Sequence, residues 1–176
     1  MEEGATVASL IEELINVLEE TTGCYQNLLS VANNKKDVII KGDVPSLQTL
    51  TDKEQGVAGR LLRLEKKRVE IIKDICLVTN KNPKTMTITT LISMLDKQKQ
   101  EQTILKDVSG RMIETVNLCK IANDLNRSLL NESIDFINYT VNAIQSATDI
   151  PQNNAYQRKG NLYDSGSGNN FFDAKQ

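Results

Sequence analysis

The chain has 176 residues, of which 39% are hydrophobic and 25% are charged, an ordinary balance for a globular protein with one substantial core. Its 21 basic and 23 acidic residues give a net charge of −2, which argues against a nucleic acid or an anionic membrane as partner. Histidine is absent, and the sequence has no phosphate-binding loop or nucleophile elbow. We therefore expect neither an enzyme nor a protein with a metal or cofactor.

The beginning of the chain and its cysteines indicate where the protein works. Met1-Glu2-Glu3 is acidic, and no apolar run approaches the roughly 20 residues that a membrane-spanning helix needs. Cys24, Cys76 and Cys119 are odd in number and widely spaced, which favours buried thiols over a disulfide framework. A cytoplasmic protein without membrane insertion is predicted.

Apolar residues at alternating steps of four and three predict a first helix over about residues 6–40. They are Val7, Ile11, Leu14, Leu18, Thr21, Tyr25, Leu28 and Ala32. Gly42-Asp43 is expected to end this helix and to start the next, with Asp43 or Ser46 as the cap and Pro45 in the first turn. The pattern then continues until Asn82-Pro83 disfavours helix. The short connection predicts an antiparallel hairpin.

A third helical region, capped by Thr87 or Thr89, is predicted to run to Pro151, giving a helix of roughly 60 residues. Residues 96–103 contain no apolar side chain and Gly110 follows, so this region is either continuous with a solvated face or broken near 96–110. The predicted fold is all-α: an antiparallel bundle of three long helices in residues 1–150, with a flexible, disordered tail in residues 151–176.

The third helix is longer than its neighbours, so we expect their cover to end near residue 122 and to leave 123–149 beyond the hairpin tip. That segment carries Leu125, Leu129, Leu130, Ile134, Phe136, Ile137, Val141 and Ile144. Such apolar surface should fold back, self-associate or receive another chain. If the helix is instead broken, its second half is ordinary core. The dense asparagines of this segment either fix helix register or offer amides to an incoming chain.

The tail holds four of the seven aromatic residues of the chain: Tyr156, Tyr163, Phe171 and Phe172. Polar segments are normally poor in aromatics, because few apolar groups offset the entropy cost of ordering them. These residues are either chance aromatics in a flexible end or anchors for a partner.

Several segments together match the pattern of one protein family. Among them, Lys41-Gly42-Asp43-Val44-Pro45-Ser46-Leu47, Leu50 to Gln55 and Leu64 to Arg68 are similar to the helical hairpin of FlgN-type flagellar export chaperones. Asn123-x-x-Asn126-x-x-Leu129-Leu130, continuing to Ile134, resembles its last-helix signature, and Leu162-Tyr163-Asp164 followed by Gly166 resembles its tail motif. The tail beyond Tyr163, with Phe171-Phe172, departs from the family pattern.

The resemblance implies a bacterial cytosolic chaperone that binds the C-terminal helical segments of hook-filament junction proteins, prevents their premature assembly and delivers them to the flagellar export gate. It assigns client binding to Asn123, Asn126, Leu129, Leu130 and Ile134, which the exposed stripe extends to Ile137, Val141 and Ile144. It assigns binding of the gate's cytosolic domain to Leu162 and Tyr163. The free chain should then be a monomer or weak dimer. The alternative is a structural coiled-coil scaffold that self-associates through the same stripe.

Overall fold

The computed structural model describes residues 2–96 and 98–148, with side chains for residues 6–96 and 98–147. Within these ranges the chain forms four α-helices and no strand, which confirms the predicted all-α fold. By backbone packing, the residues up to Ile137 form one unit and a second unit begins at Asn138. The predicted domain boundary at 150 and the tail 151–176 lie outside the described residues.

The first two helices, α1 (Glu2–Lys41) and α2 (Val44–Val78), are joined by the short connection that the sequence predicts. Gly42 has φ of 66°, a left-handed conformation that glycine adopts without steric cost. Asp43 caps α2 by accepting a hydrogen bond from the Ser46 backbone N–H at 3.1 Å, and Pro45 lies in the first turn. The hydrogen bonds with Ser46 lower the pKa of the Asp43 carboxyl below its ordinary value.

Helices α1 and α2 are antiparallel, as their cross-helix ion pairs show. Glu13 pairs with Lys67 at 3.0 Å, Glu20 pairs with Arg60 at 2.9 Å, and Lys35 pairs with Glu54. The α1 residue number rises from pair to pair while the α2 residue number falls, as in a hairpin whose turn lies at Gly42. The pairs Glu13–Lys67 and Glu20–Arg60 are about half exposed and define register more than they add stability, whereas Lys35–Glu54 is more buried.

Of the two alternatives for residues 96–110, the structure has the break, so the chain has a fourth helix where the sequence predicted three. A short helix α3 (Ile88–Met94) is followed by a turn and then by α4 (Lys99–Thr148), which runs through Gly110 without interruption. Thr87 caps α3 by accepting a hydrogen bond from the Thr90 backbone N–H at 3.0 Å. Gln102 spans the break, donating through Nε2 to the Ile92 carbonyl at 2.8 Å. The chain breaks here because the polar residues after Leu95 offer nothing apolar to pack.

Helix α4 runs parallel to α1, and its register corrects the predicted end of its cover. Arg111 lies 3.8 Å from Glu19, Cys119 bonds the Tyr25 carbonyl, and Asn126 bonds the Ala32 carbonyl. Residues of α1 therefore accompany α4 well past residue 122, where the sequence predicted that cover would end. The prediction failed because α3 and the following turn, residues 88–98, take up chain that it had assigned to the helix beside α1.

The core lies in the N-terminal half of α1. Ile11, Leu14, Val17 and Leu18 are fully buried there, and all four helices contribute to the same cluster. The other helices add Leu64, Ile71, Ile75, Leu91, Leu95, Leu105 and Val108. Cys24, Cys76 and Cys119 are free and buried, as predicted. Large aliphatic side chains at every contact make this end of the unit its most stable part.

Replacing Leu14 by alanine removes a fully buried side chain from this core. We expect Leu14→Ala to lower the free energy of unfolding by about 2–5 kcal/mol, because lost burial and a residual cavity both contribute. Leu62→Ala is the matched control, since Leu62 is 68% exposed and should change that free energy by less than about 0.5 kcal/mol. Urea denaturation followed by circular dichroism measures both, and equal losses would contradict the position of the core.

Candidate partner-binding surface

The face of α4 that meets α1 changes character along its length. Leu105 and Val108 are large and buried, whereas the later buried positions of the same stripe are Thr115, Cys119 and Asn126. These positions follow three- and four-residue steps, so they all face α1. Opposite them α1 buries Thr22 and Ala32, and the larger Ile39 follows beside residues 130–137 of α4. From residue 115 to residue 126 the two helices therefore meet mainly through small or polar side chains.

Two side-chain hydrogen bonds join the helices along this polar stretch. The Cys119 thiol donates to the Tyr25 carbonyl, with 3.1 Å between Sγ and oxygen, and burial raises the pKa of that thiol above its ordinary value. The thiol therefore stays protonated and able to donate at neutral pH. Asn126 Nδ2 donates to the Ala32 carbonyl at 2.7 Å. Both bonds end on backbone carbonyls of α1, which fixes the position of α4 along it.

Asn126 is only half satisfied. The residue is 5% exposed, its Nδ2 is bonded to α1, and its Oδ1 is buried without a hydrogen-bond partner among the described residues. A buried carbonyl oxygen without a donor costs about 1–3 kcal/mol, so such atoms usually have a structural or functional reason. The sequence left open whether the asparagines of this helix fix register or serve an incoming chain. Nδ2 of Asn126 takes the first role, and the second role stays a prediction for the buried Oδ1.

Asn126 lies in a groove between α1 and α4, which we call the Asn126 groove. Its lining residues are Lys35, Ile39, Asn123, Asn126, Arg127, Leu130, Asn131 and Ile134. Apolar side chains from both helices stand beside carboxamides, and the charged lining residues, Lys35 and Arg127, are both basic. Lys35 is engaged by Glu54 of α2. The groove thus offers apolar contact, a hydrogen-bond acceptor and positive charge.

A second groove, which we call the Phe136 groove, lies where α1 ends. It is lined by Ile39, Ile40, Lys41, Gly42, Leu129, Glu132, Ser133, Phe136 and Ile137. Ile40, Phe136 and Ile137 are all more than half exposed, so this groove is mainly apolar. Together the two grooves flank α4 over residues 123–137. Exposed apolar side chains on both flanks of one helix are typical of an interaction surface.

The structure brings together most of the client-binding residues that the sequence assigned. Asn123, Asn126, Leu130 and Ile134 share the Asn126 groove, and Leu129 and Ile137 line the Phe136 groove. In the second unit, taken by itself, Val141 and Ile144 are exposed on α4. Leu162 and Tyr163 lie outside the described residues. Sequence reasoning missed the contribution of α1, namely Lys35, Ile39 and Ile40.

The signal for those α1 residues was present but could not be placed. Ile39-Ile40 is an apolar pair just before the Gly42 turn, and Ile40 remains 63% exposed. Periodicity marks such a pair as unusual at a helix end. It cannot say which helix lies beside it, because that depends on the register between α1 and α4.

Two other kinds of site are not found in the described part of the chain. Residues 2–96 and 98–148 hold no cluster of three or more histidine, cysteine, aspartate or glutamate residues arranged to hold a metal ion. Among the helices of the same ranges, none combines the length and apolar character that crossing a bilayer requires.

Comparison with known proteins agrees with the resemblance seen in the sequence. A family model described as FlgN protein matches residues 1–164, which is most of the chain. The chain belongs to the FlgN family. Membership in the FlgN family indicates, at the family level, a flagellar export chaperone. Neither the curated proteins nor the solved structures gave a significant match.

The extent of the FlgN match bears on the tail. It includes the Leu162-Tyr163-Asp164 motif and ends before Phe171-Phe172. The aromatic pair is thus outside the part of this chain that matches the family, as the sequence comparison had indicated. Its role is not assigned by the match.

Substitution of Asn126 separates its two hydrogen-bonding roles. Asn126→Leu removes both the bond to Ala32 and the unpartnered Oδ1, so we expect stability equal to or slightly above that of the parent chain. Asn126→Asp buries a carboxylate that cannot donate to the Ala32 carbonyl at neutral pH, and it should lower the free energy of unfolding by about 1–3 kcal/mol or more. Urea denaturation at pH 7 measures both. A leucine variant less stable than the aspartate variant would contradict this account of Asn126.

Proposed function

We propose that this protein is a flagellar export chaperone that binds the C-terminal helical segments of hook-filament junction proteins. In this proposal it prevents their premature assembly in the cytosol and delivers them to the export gate. Family membership supports the general class, and the α4 surface supports binding of a helical client. The observation that carries the proposal is the apolar, half-exposed surface of α4 beside a buried acceptor for which the described residues provide no donor.

The energetics favour a client that buries this flank. Ile134 and Ile137 are 52% and 57% exposed. Covering a wholly exposed aliphatic side chain contributes about 1.5–3 kcal/mol, so covering two half-exposed ones contributes roughly that much in total. Half-buried Leu130 enlarges the same apolar area. A client helix that covers both grooves would therefore gain enough to offset part of the cost of ordering it.

The groove also defines the chemistry of the client helix. Its apolar face would pack on Ile39, Leu130 and Ile134, as an amphipathic helix does in a groove. A side-chain donor, such as an amide or hydroxyl, would bond Asn126 Oδ1 and remove the cost of the unpaired atom. An acidic residue near Arg127 would complete the contact. For the second unit, taken by itself, we propose that Val141 and Ile144 give further apolar contact to the client.

Delivery requires a second contact, which we assign to the tail. Tyr163 and Leu162 would bind the cytosolic domain of the export gate, since tyrosine buries a large ring while losing little rotamer freedom. The family match includes both residues. Release of the client would then be driven by contacts at the gate that compete with the α4 surface.

Charge introduced at Ile134 tests the client surface. We expect Ile134→Glu to weaken binding of a purified C-terminal segment of a junction protein at least about tenfold, because a carboxylate would be desolvated against the apolar face of the client. The matched control is Ile121→Glu, an equal charge change at a residue that is 65% exposed on the same helix and outside both grooves. It should change affinity less than about twofold. Isothermal titration calorimetry gives both affinities and the stoichiometry.

Three results would contradict the proposal. An equal loss of affinity in the two variants would show that the Asn126 groove does not bind the client. A parent chain that does not bind the client at all would contradict the proposed function. A free chain whose mass rises with concentration in sedimentation, through the same residues, would favour the self-associating scaffold. The chaperone predicts a one-to-one complex from a free chain that is a monomer or weak dimer.

Tyr163→Ala tests delivery separately from client binding. We expect helicity and client affinity to stay unchanged while motility and binding to the gate's cytosolic domain fall, since the residue would act only at the gate. Tyr156→Ala is the control, because Tyr156 is a tail tyrosine outside the quoted motif. Swimming in soft agar and a pull-down with the gate domain measure the effects. Normal motility in the Tyr163 variant would end the assignment.

A further inference from the structure

The N-terminal half of α2 is poorly covered within its own unit. The buried residues of α2 are Leu64, Ile71, Ile75 and Cys76, all in the second half of the helix. From residue 44 to residue 63 the helix has no buried side chain, and Val44 and Leu62 are strongly exposed. Apolar side chains on the stripe that faces α1 are only half-buried: Leu47, Leu50, Val57 and Leu61. Helices in proteins depend mainly on tertiary packing for stability. The packing of the N-terminal half of α2 is therefore incomplete.

A groove between α1 and α2 runs along this stretch, and we call it the α1–α2 groove. Its lining residues are Cys24, Asn27, Ser30, Val31, Asn34, Leu50, Lys53, Gly56, Val57 and Arg60. Val31, Leu50 and Val57 form an apolar floor, and Asn27, Ser30 and Asn34 form a polar wall on α1. It shares no lining residue with the Asn126 groove or the Phe136 groove. It is therefore a separate surface.

The other wall, on α2, is basic and open. Lys53 and Arg60 are two helical turns apart, about 10 Å at 1.5 Å rise per residue. Gly56 lies between them, and a Cβ added there would meet no atom within 4 Å, so a partner can approach the helix closely. Three acidic side chains near this wall have partners: Glu20 pairs with Arg60, Glu54 pairs with Lys35, and Asp52 accepts a hydrogen bond from Gln48 Nε2 at 3.0 Å. No lining residue of the groove is acidic.

The existing ion pair does not block this wall. Arg60 and Glu20 are 2.9 Å apart, but both side chains are about half exposed, and pairs of that kind contribute little to stability. An incoming carboxylate can therefore replace Glu20 at small cost. An apolar floor with basic groups spaced two turns apart matches one face of an amphipathic helix that carries acidic residues along its edge.

We propose that the α1–α2 groove docks an acidic amphipathic helix of a partner protein other than the export client. The apolar face of that helix packs on Val31, Leu50 and Val57. Carboxylates spaced by about two turns pair with Lys53 and Arg60. The carboxamides of Asn27 and Asn34 bind polar groups on the opposite edge of the same helix. This surface goes beyond the chaperone function proposed above and does not depend on it.

A designed peptide tests the proposal. The probe is a synthetic helix of about 21 residues with leucine at the a and d positions and glutamate at the flanking e and g positions. It should bind the full chain in fluorescence anisotropy. Lys53→Glu with Arg60→Glu should weaken binding at least about tenfold, because both contacts become repulsive. Lys66→Glu with Lys73→Glu, an equal charge change elsewhere on α2, should weaken it less than about threefold through long-range charge alone.

Filling the groove provides a second, independent variant. Gly56→Leu places a side chain in open space and improves helix propensity, so it should fold normally and still block the peptide. Gly59→Leu is the matched control, because Gly59 also has open space around it and does not line the groove. Ile134→Glu should bind the acidic peptide like the parent chain. This variant therefore distinguishes loss of client binding at the Asn126 groove from loss of peptide binding at the α1–α2 groove.

The following outcomes would overturn the proposal. One is a lack of binding by the parent chain, and another is equal weakening by the two double charge reversals. A third is normal binding by Gly56→Leu, which would place the peptide elsewhere. A fourth is concentration-dependent self-association of the free chain that Lys53→Glu with Arg60→Glu abolishes, since the occupant would then be a second copy. Circular dichroism of each variant establishes that it is folded.

Discussion

The rest of the structure depends on the apolar stripe in the first half of α1. Ile11, Leu14, Val17 and Leu18 are fully buried, and α2, α3 and α4 all contribute to the cluster around them. The free energy of hydrophobic burial scales with the apolar area removed from water. This short stretch therefore supplies a large share of the free energy that holds the helices together. The remaining length of α1 makes contacts of a different kind, through smaller and more polar side chains.

That gradient accounts for the grooves where partners are proposed to bind. Beyond the core, α1 meets α4 through the small side chains Thr22 and Ala32, and the first half of α2 has no buried side chain at all. A helix whose one end is packed in the core can keep an incompletely covered surface at the other end without unfolding. The packed end supplies most of the free energy that stabilises the folded helix. The folded part thus presents apolar surface as a stable feature rather than through local unfolding.

Much of this fold could be predicted from the sequence, because the deciding signals are local. The stripe from Val7 to Ala32 gave α1, and Gly42 with Asp43 gave the turn and cap that the structure contains. The break before α4 was ambiguous, since a polar run such as 96–103 fits either a solvated helix or a turn. Gly110 suggested a break at a position where α4 is continuous, because packing overrides the weak helix propensity of one residue.

The candidate site was only partly predictable, for a related reason. Leu130 and Ile134 stand out from periodicity in α4 alone, whereas Ile39 and Lys35 belong to the surface only once the offset between two distant helices is known. That offset depends on how much chain α3 consumes, which no local pattern encodes. Asn126 shows the same limit, since the sequence left two roles open and only the structure shows the bond by which its Nδ2 fixes register.

The bond from Asn126 to the Ala32 carbonyl also bears on uniqueness of alignment. Small side chains in a repeating three-and-four pattern pack almost equally well after a slide of one heptad, so shape alone discriminates poorly between alignments. A slide of α4 along α1 would break the directional bond and leave the buried amide without an acceptor, which makes the shifted alignments less favourable. Helix α4 therefore owes its single longitudinal position in this region to the directional bonds from Cys119 and Asn126 rather than to the shape of its side chains.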